Sequence, residues 1–359
     1  MKYYIECMKI EDVFDFPKKL EALNSNDDVV FNFSHMGRIE PLGMLAIGSM
    51  IHKYIEKYPD VTFDFTGTEN KSYACTMGLF KYLSPKSDIG KLPGEAKGSI
   101  NYIPITPIVF NELRDDNYTV VGDLIEKESG RLAKVISREN TELHKLLTYL
   151  IREILRNTYE HAEADRSWIC GQYWPSYDKA EIGIIDEGIG IFESLTQNLA
   201  HKKYITDNKT ALQWALKAGI SESFRPSKKD GGDDKWANSG YGLYMASEIC
   251  KYLHGSFLLM SYGNYIMVKD NKTDIGETLF EGTAIRMVIP TDNIKNAKDI
   301  IGHIANKGDI LRPAASCGAT PLPAETRTTR CPKEAVHCTL FSRTFSRRLT
   351  QLLAATDGR

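Results

Sequence analysis

Strand-like and helix-like stretches alternate along the first 120 residues. KYYIECM, VVFNFS and VTFDFTG read as strands. VFDFPKKLEALNS, MLAIGSMIHKYIEKY and NKSYACTMGLFKYLS read as helices. Strands separated by helices of this length predict an α/β layer. Residues 85–118 are interrupted by Pro, Gly, Asn and Asp around one apolar insert, YIPITPIVF. They predict a connector with a strand in it.

A long helical pattern follows from about 122 to 163, with a break expected near Ser129-Gly130. SWICGQYW and KAEIGIID then read as strands, and IFESLTQNL and TALQWALKAGI as helices. FRPSKKDGGDDKWANSG is polar and glycine-rich, the composition of a mobile loop. YGLYMASEICKYLHG is a helix stopped by Gly255. SFLLMSYGNYIMVKD and GTAIRMVIP predict closing hairpin strands.

Composition breaks near the end. Residues 310–359 carry seven arginines against one lysine and three acids, and three of the seven cysteines. We expect three parts: an α/β domain over 1–120, a second domain over 121–295, and a tail over 296–359 that is disordered or of separate origin. Cys317, Cys331, His337 and Cys338 lack paired CxxC spacing, so zinc is not expected there.

The chain has 359 residues, enough for two ordinary domains. A formal net charge of −2 implies no general attraction to nucleic acid or to anionic membrane. No apolar run approaches the ~20 residues that span a bilayer. The start has no signal-peptide pattern, and the cysteines form no disulfide framework. A cytoplasmic location is the expectation.

The candidate chemistry lies in an ordered set of motifs. Glu153, Asn157 and His161 recur every fourth residue in LLTYLIREILRNTYEHA. That step returns side chains to one helical face. Glu153 is a carboxylate suited to act as a base, and Asn157 an amide oxygen suited to a hard cation such as Mg²⁺. Asparagine is an indifferent helix former, so Asn157 on an apolar face calls for a reason. His161 could meet a phosphate or simply end the helix with a favourable dipole interaction. Asp186 closes the strand EIGIID, and Gly188 and Gly190 follow it. A carboxylate there can accept the hydrogen bond of an exocyclic amino group such as adenine's. Gly240-Tyr241-Gly242-Leu243 opens a helix, where backbone N–H groups attract phosphate. Lys228, Lys229 and Lys235 precede it in the polar loop, which could close as a lid. Thr283 follows Gly282 in a closing strand and could bring a hydroxyl near the base. Taken together, these motifs predict an ATP site.

ExxxNxxxH, then DxGxG, GxGL and GT before a strand ending in proline resembles the GHKL superfamily of ATPases and kinases over residues 140–290. The resemblance implies a Bergerat-type α/β sandwich. It makes Glu153 the base, Asn157 the Mg²⁺ ligand and Asp186 the adenine reader, with Gly188, Gly190, Gly240, Gly242 and Thr283 lining the nucleotide. EILRNTYEHA most resembles the anti-sigma serine kinases. The stretch VVFNFSHMGRIEPLGMLAIGSMIHKY, together with VTFDFTG and MGLFKYL, is similar to a STAS domain. Phosphorylatable STAS domains carry a serine pair where this chain has Glu40-Pro41-Leu42-Gly43, so phosphorylation at that turn is not expected. No histidine upstream of Glu153 is placed as the phosphoacceptor of a histidine kinase.

The expected fold is therefore α/β, a STAS-like layer plus a Bergerat-type sandwich. The expected function is Mg-dependent ATP binding, as a slow ATPase or serine/threonine protein kinase acting on a regulatory protein partner. The alternative is a non-catalytic, ATP-gated interaction switch. A homodimer is compatible with either. A DNA-remodelling ATPase is disfavoured, because no segment long enough to be a transducer domain follows residue 295 and the basic tail is scattered.

Overall fold

The computed structural model describes residues 1–23, 27–110, 118–220, 240–292 and 294–311. It is a mixed α/β structure, and among the described residues the strands form two sheets. The first is parallel, in the order β1-β2-β3: Lys2–Tyr4, Val29–Asn32 and Phe63–Thr66. Between these strands run α1 (Ile10–Glu21) and α2 (Pro41–Lys57). The next expected helix divides into α3 (Ser72–Met77) and α4 (Leu79–Leu83). Gly78 separates them in the left-handed region at φ 84°, a conformation open to glycine at little cost.

The second sheet is antiparallel. Its strands are β4 (Tyr102–Val109), β5 (Arg166–Trp174), β6 (Lys179–Asp186), β7 (Ser256–Ser261), β8 (Asn264–Lys269), β9 (Lys272–Glu277) and β10 (Thr283–Pro290). They lie in the order β4-β5-β6-β10-β7-β8-β9. The strand expected inside the connector is thus an edge of this sheet. β9 was not expected from sequence. KTDIGE has no apolar alternation because it is an edge strand, with side chains largely exposed.

Helices cover one face of this sheet. α5 (Tyr118–Ser137) and α6 (Thr141–His161) replace the single long pattern. The break falls at Arg138 (φ 55°) and Asn140, not at Ser129-Gly130. Gly130 stays inside α5, since an internal glycine costs only about 1 kcal/mol. Asn140 caps α6 by accepting from the Leu143 N–H at 2.9 Å. Leu143, Leu146, Leu147, Leu150, Ile151 and Ile154 of α6 are buried. Beyond α6 come α7 (Gly190–Gln197), α8 (Leu199–Lys202), α9 (Asn208–Ala215), α10 (Gly242–Tyr252) and α11 (Ala297–Leu311).

α11 corrects the expected tail, which was to begin at 296. Ala297, Ile300, Ile301, Ile304 and Ala305 are buried, and the helix packs on α6 and α10. Its apolar spacing is an ordinary amphipathic signal. The rest of the expected tail, with Cys317, Cys331, His337 and Cys338, lies outside the described residues.

The other face of the large sheet is covered by α2, which packs on β5, β6 and β10. β6 is consequently buried on both faces. Ala180, Ile182 and Ile184 join the core beneath α6, while Ile185 joins the core shared with α1 and α2. Gly183 allows the close approach, since a Cβ there would stand 2.9 Å from the Leu42 Cα. The turn Glu40-Pro41-Leu42-Gly43 is therefore buried under the sheet. Glu40 accepts from the Ile10 N–H at 3.2 Å and lies 3.4 Å from Arg286 of β10. Arg286 also holds the fully buried Glu181 of β6 at 2.7 Å. No helix among the described residues is long and apolar enough to cross a membrane.

Candidate functional site

Sheet register builds the floor of a cleft. β6 and β10 are antiparallel neighbours, and Asp186 is paired with Thr283. The end of one strand and the start of the other thus bring the expected acid and threonine side by side. α6 forms one wall, carrying Asn157 and His161, and the start of α10 forms another, with Gly240, Gly242 and Leu243. Gly190, Thr158 and Ser194 also line it. The cleft is partly enclosed and opens to solvent at its mouth. Ile154, Ile191, Leu195, Ala215, Ile220 and Ile285 give it an apolar wall.

Asp186 is the buried charge of this cleft. Burial pushes its carboxyl up to about 7, against hydrogen bonds from Gly188, Thr158 and Thr283 that favour the ionised form. The Gly188 N–H donates to its Oδ1 at 3.1 Å, and the Thr158 hydroxyl approaches its Oδ2 at 3.4 Å. Sequence alone does not point to Thr158, because a threonine beside Asn157 carries no signal until the helix is laid against β6.

The glycines are required by close approach. Gly190 has φ 79° and Gly240 φ 69°. A Cβ on Gly242 would lie 2.7 Å from the Asn157 Nδ2, so the helix start and the amide are in direct contact. Gly188 supports the cleft from behind rather than lining it. A Cβ there would fall 1.9 Å from the carbonyl oxygen of Ala162. That same oxygen accepts from the Ile189 N–H at 2.9 Å, tying the loop after β6 to the end of α6. Gly188→Ala should therefore destabilise the protein by about 1–3 kcal/mol or more, read as a lowered urea midpoint.

Glu153 is not brought into the cleft lining with Asn157. Its Oε1 accepts from Arg152 Nη2 at 2.7 Å and from Nε at 3.2 Å. Arg152 is buried, donates to Glu126 of α5 at 3.1 Å and stacks over the Tyr149 ring. An arginine adjacent in sequence thus captures the carboxylate that helical spacing alone directs toward Asn157. The loop with Lys228, Lys229 and Lys235, expected as a lid, lies outside the described residues. Among the described residues, no group of three or more His, Cys, Asp or Glu side chains could hold a metal ion.

The cleft is also linked to the layer behind it. The Ser49 hydroxyl on α2 donates to Glu187 Oε1 at 2.5 Å, next to Asp186. Lys53, one turn along, donates to the carbonyl of Glu281, two residues before Thr283. Comparison with protein-family models, with curated proteins and with solved structures returned no match.

Proposed function

We propose that the cleft binds Mg·ATP and that the chain is an ATP-dependent regulator of a protein partner. The observation that carries this reading is the convergence of Asp186, Asn157, Gly190, Gly242 and Thr283 on one partly apolar cleft. Apolar walls suit the faces of a purine ring. The buried Asp186 offers an acceptor for the adenine amino group. The N-terminus of α10 offers backbone N–H groups to phosphate. Asn157, against Gly242, would hold Mg²⁺ through its amide oxygen. Such a cation takes its remaining ligands from phosphate and water, so it needs no acidic cluster. When bound, Mg²⁺ supplies neutralisation of the triphosphate charge.

The order of motifs supports membership of the GHKL type, with a Bergerat-like sandwich formed by the large sheet and its helices. The β-α-β-α-β layer supports the STAS-like reading. A cytoplasmic setting belongs to the same proposal.

Two readings of the ATP remain distinct. Turnover, as a serine/threonine protein kinase or slow ATPase, assigns Glu153 as base, one turn from Asn157. The switch reading is favoured by the grip of Arg152 on Glu153 and by the Ser49 and Lys53 contacts to α2. Those contacts give nucleotide binding a direct path to α2 and the STAS-like layer. Glu153→Ala separates the two. If Glu153 is the base, phosphate release and protein phosphorylation fall about 10²–10⁴-fold while Mg·ATP affinity is kept. Equal phosphate release from both proteins removes Glu153 as the base. Nucleotide binding without turnover in either assigns the switch. Failure of the wild type to bind Mg·ATP in an equilibrium titration ends both readings.

A further inference from the structure

The turn between β7 and β8 is built from a residue that the turn itself disfavours. Ser261 pairs with Asn264, leaving Tyr262-Gly263 as a two-residue loop. Both residues have positive φ, 30° at Tyr262 and 91° at Gly263. Such turns favour Asn, Asp or Gly at the first position, and a bulky side chain there is strained. The tyrosine is also partly exposed, so hairpin packing alone does not explain it.

Its contacts supply a reason. The Tyr262 hydroxyl donates to the carbonyl of Gly188 at 2.9 Å. Its ring covers Gly190 so closely that a Cβ on that glycine would lie 2.3 Å from the ring's Cδ2. Next to it, the Ser261 Oγ accepts from the Ile191 N–H at 3.1 Å. On the opposite side the loop is tied to Ala162 through Ile189. The peptides that Tyr262 holds belong to the loop whose Gly188 N–H donates to Asp186. We infer that Tyr262 is a positioning residue: it clamps the Gly188–Gly190 loop and so fixes Asp186 and Gly190 for selective recognition of adenine.

This inference rests on the nucleotide reading of the cleft. Tyr262 is not among the residues lining the cleft and acts through Gly188 and Gly190. Removing its hydroxyl loosens the donor that holds Asp186, which penalises a base read through its amino group. A base that makes no such bond is little affected.

The test uses the full chain as wild type, Tyr262→Phe and Tyr262→Asn, titrated with Mg·ATP and with Mg·GTP. Tyr262→Phe should weaken ATP binding about three- to tenfold with GTP nearly unchanged, so the ATP-to-GTP preference narrows. Tyr262→Asn should narrow it at least as much. Its nucleotide-free melting temperature should hold or rise, because asparagine suits the turn. An unchanged preference in both variants, with wild type binding ATP normally, overturns the clamp alone. A fall in melting temperature with the preference intact likewise overturns it and leaves Tyr262 as a turn residue. Wild type that binds no Mg·ATP overturns the nucleotide reading, and the clamp's role with it.

Discussion

Asp186→Asn should weaken Mg·ATP binding about 10–100-fold, the worth of a hydrogen bond to a charged group. It should leave the fold as stable as wild type or more so above pH 7. The two effects share one cause. Asp186 is buried, and desolvation raises its folded-state pKa from the ordinary 3.8 to about 7. A carboxyl with a raised folded-state pKa contributes stability that is fully present below about pH 3.8. That contribution is lost as pH rises through 7. Above pH 7 the wild type carries an ionised carboxylate in its interior, at a cost on the order of 4 kcal/mol. Asparagine carries no charge and can still accept from the Gly188 N–H. The difference in unfolding free energy between the two proteins should therefore grow from about pH 4 to about pH 7, read by urea denaturation at a series of pH values. Mg·ATP affinity of the wild type should rise over the upper part of that range, as Asp186 ionises to accept from adenine. The affinity of the variant should stay flat there. A variant that binds ATP like wild type at pH 8 would remove Asp186 as the adenine reader.

Arg286→Met is expected to have the largest effect on stability. Arg286 holds Glu181 at 2.7 Å between β10 and β6, beneath α2. Burial already pushes the Glu181 carboxyl above its ordinary value, with Arg286 opposing that rise. The packing is tight enough to leave Glu181 Oε1 and Arg286 Nε without hydrogen-bond partners. Removing the arginine strands a carboxylate in the core, which costs about 3–5 kcal/mol. With Glu181's folded-state pKa raised still further, the loss should be smallest at acidic pH and grow toward pH 8. Replacing both residues with methionine should recover most of it, since a buried ion pair is often no better than apolar side chains of similar volume. Denaturation midpoints of the single and double variants at pH 5 and pH 8 measure this directly. A single variant as stable as wild type at pH 8 would show that Glu181 finds another partner.

Much of the element pattern was legible from local signals. KAEIGIID is a strand over the residues expected, and the helix carrying Asn157 ends at His161, close to where the pattern stops. These elements announce themselves through periodicity, which depends on neighbours a few residues away. Elsewhere periodicity is silent or ambiguous. β9 is polar because it is an edge. Gly130 invited a break that α5 simply absorbs, and the helix ends instead at Ser137, before Arg138. Residues 297–311 adjoin the compositional break of the tail, yet Ile300, Ile301 and Ile304 mark a helix face.

For the site, the chain's own order fixed which residue types could serve a nucleotide: an acid closing a strand, glycines after it, an amide inside an apolar helix face. Tertiary structure decided which of them meet. β6 lies beside β10, so Asp186 and Thr283 come together although nearly a hundred residues separate them. It also decided what each group touches. Arg152 claims Glu153, Thr158 reaches Asp186, and the turn at Glu40 is sealed beneath β6. The physical reason is one of range. Secondary structure follows from backbone sterics and a repeating apolar face, both local in the chain. The partner of a charged or hydroxyl side chain depends on packing between elements distant in sequence, where a shift of a few ångströms decides whether a hydrogen bond exists.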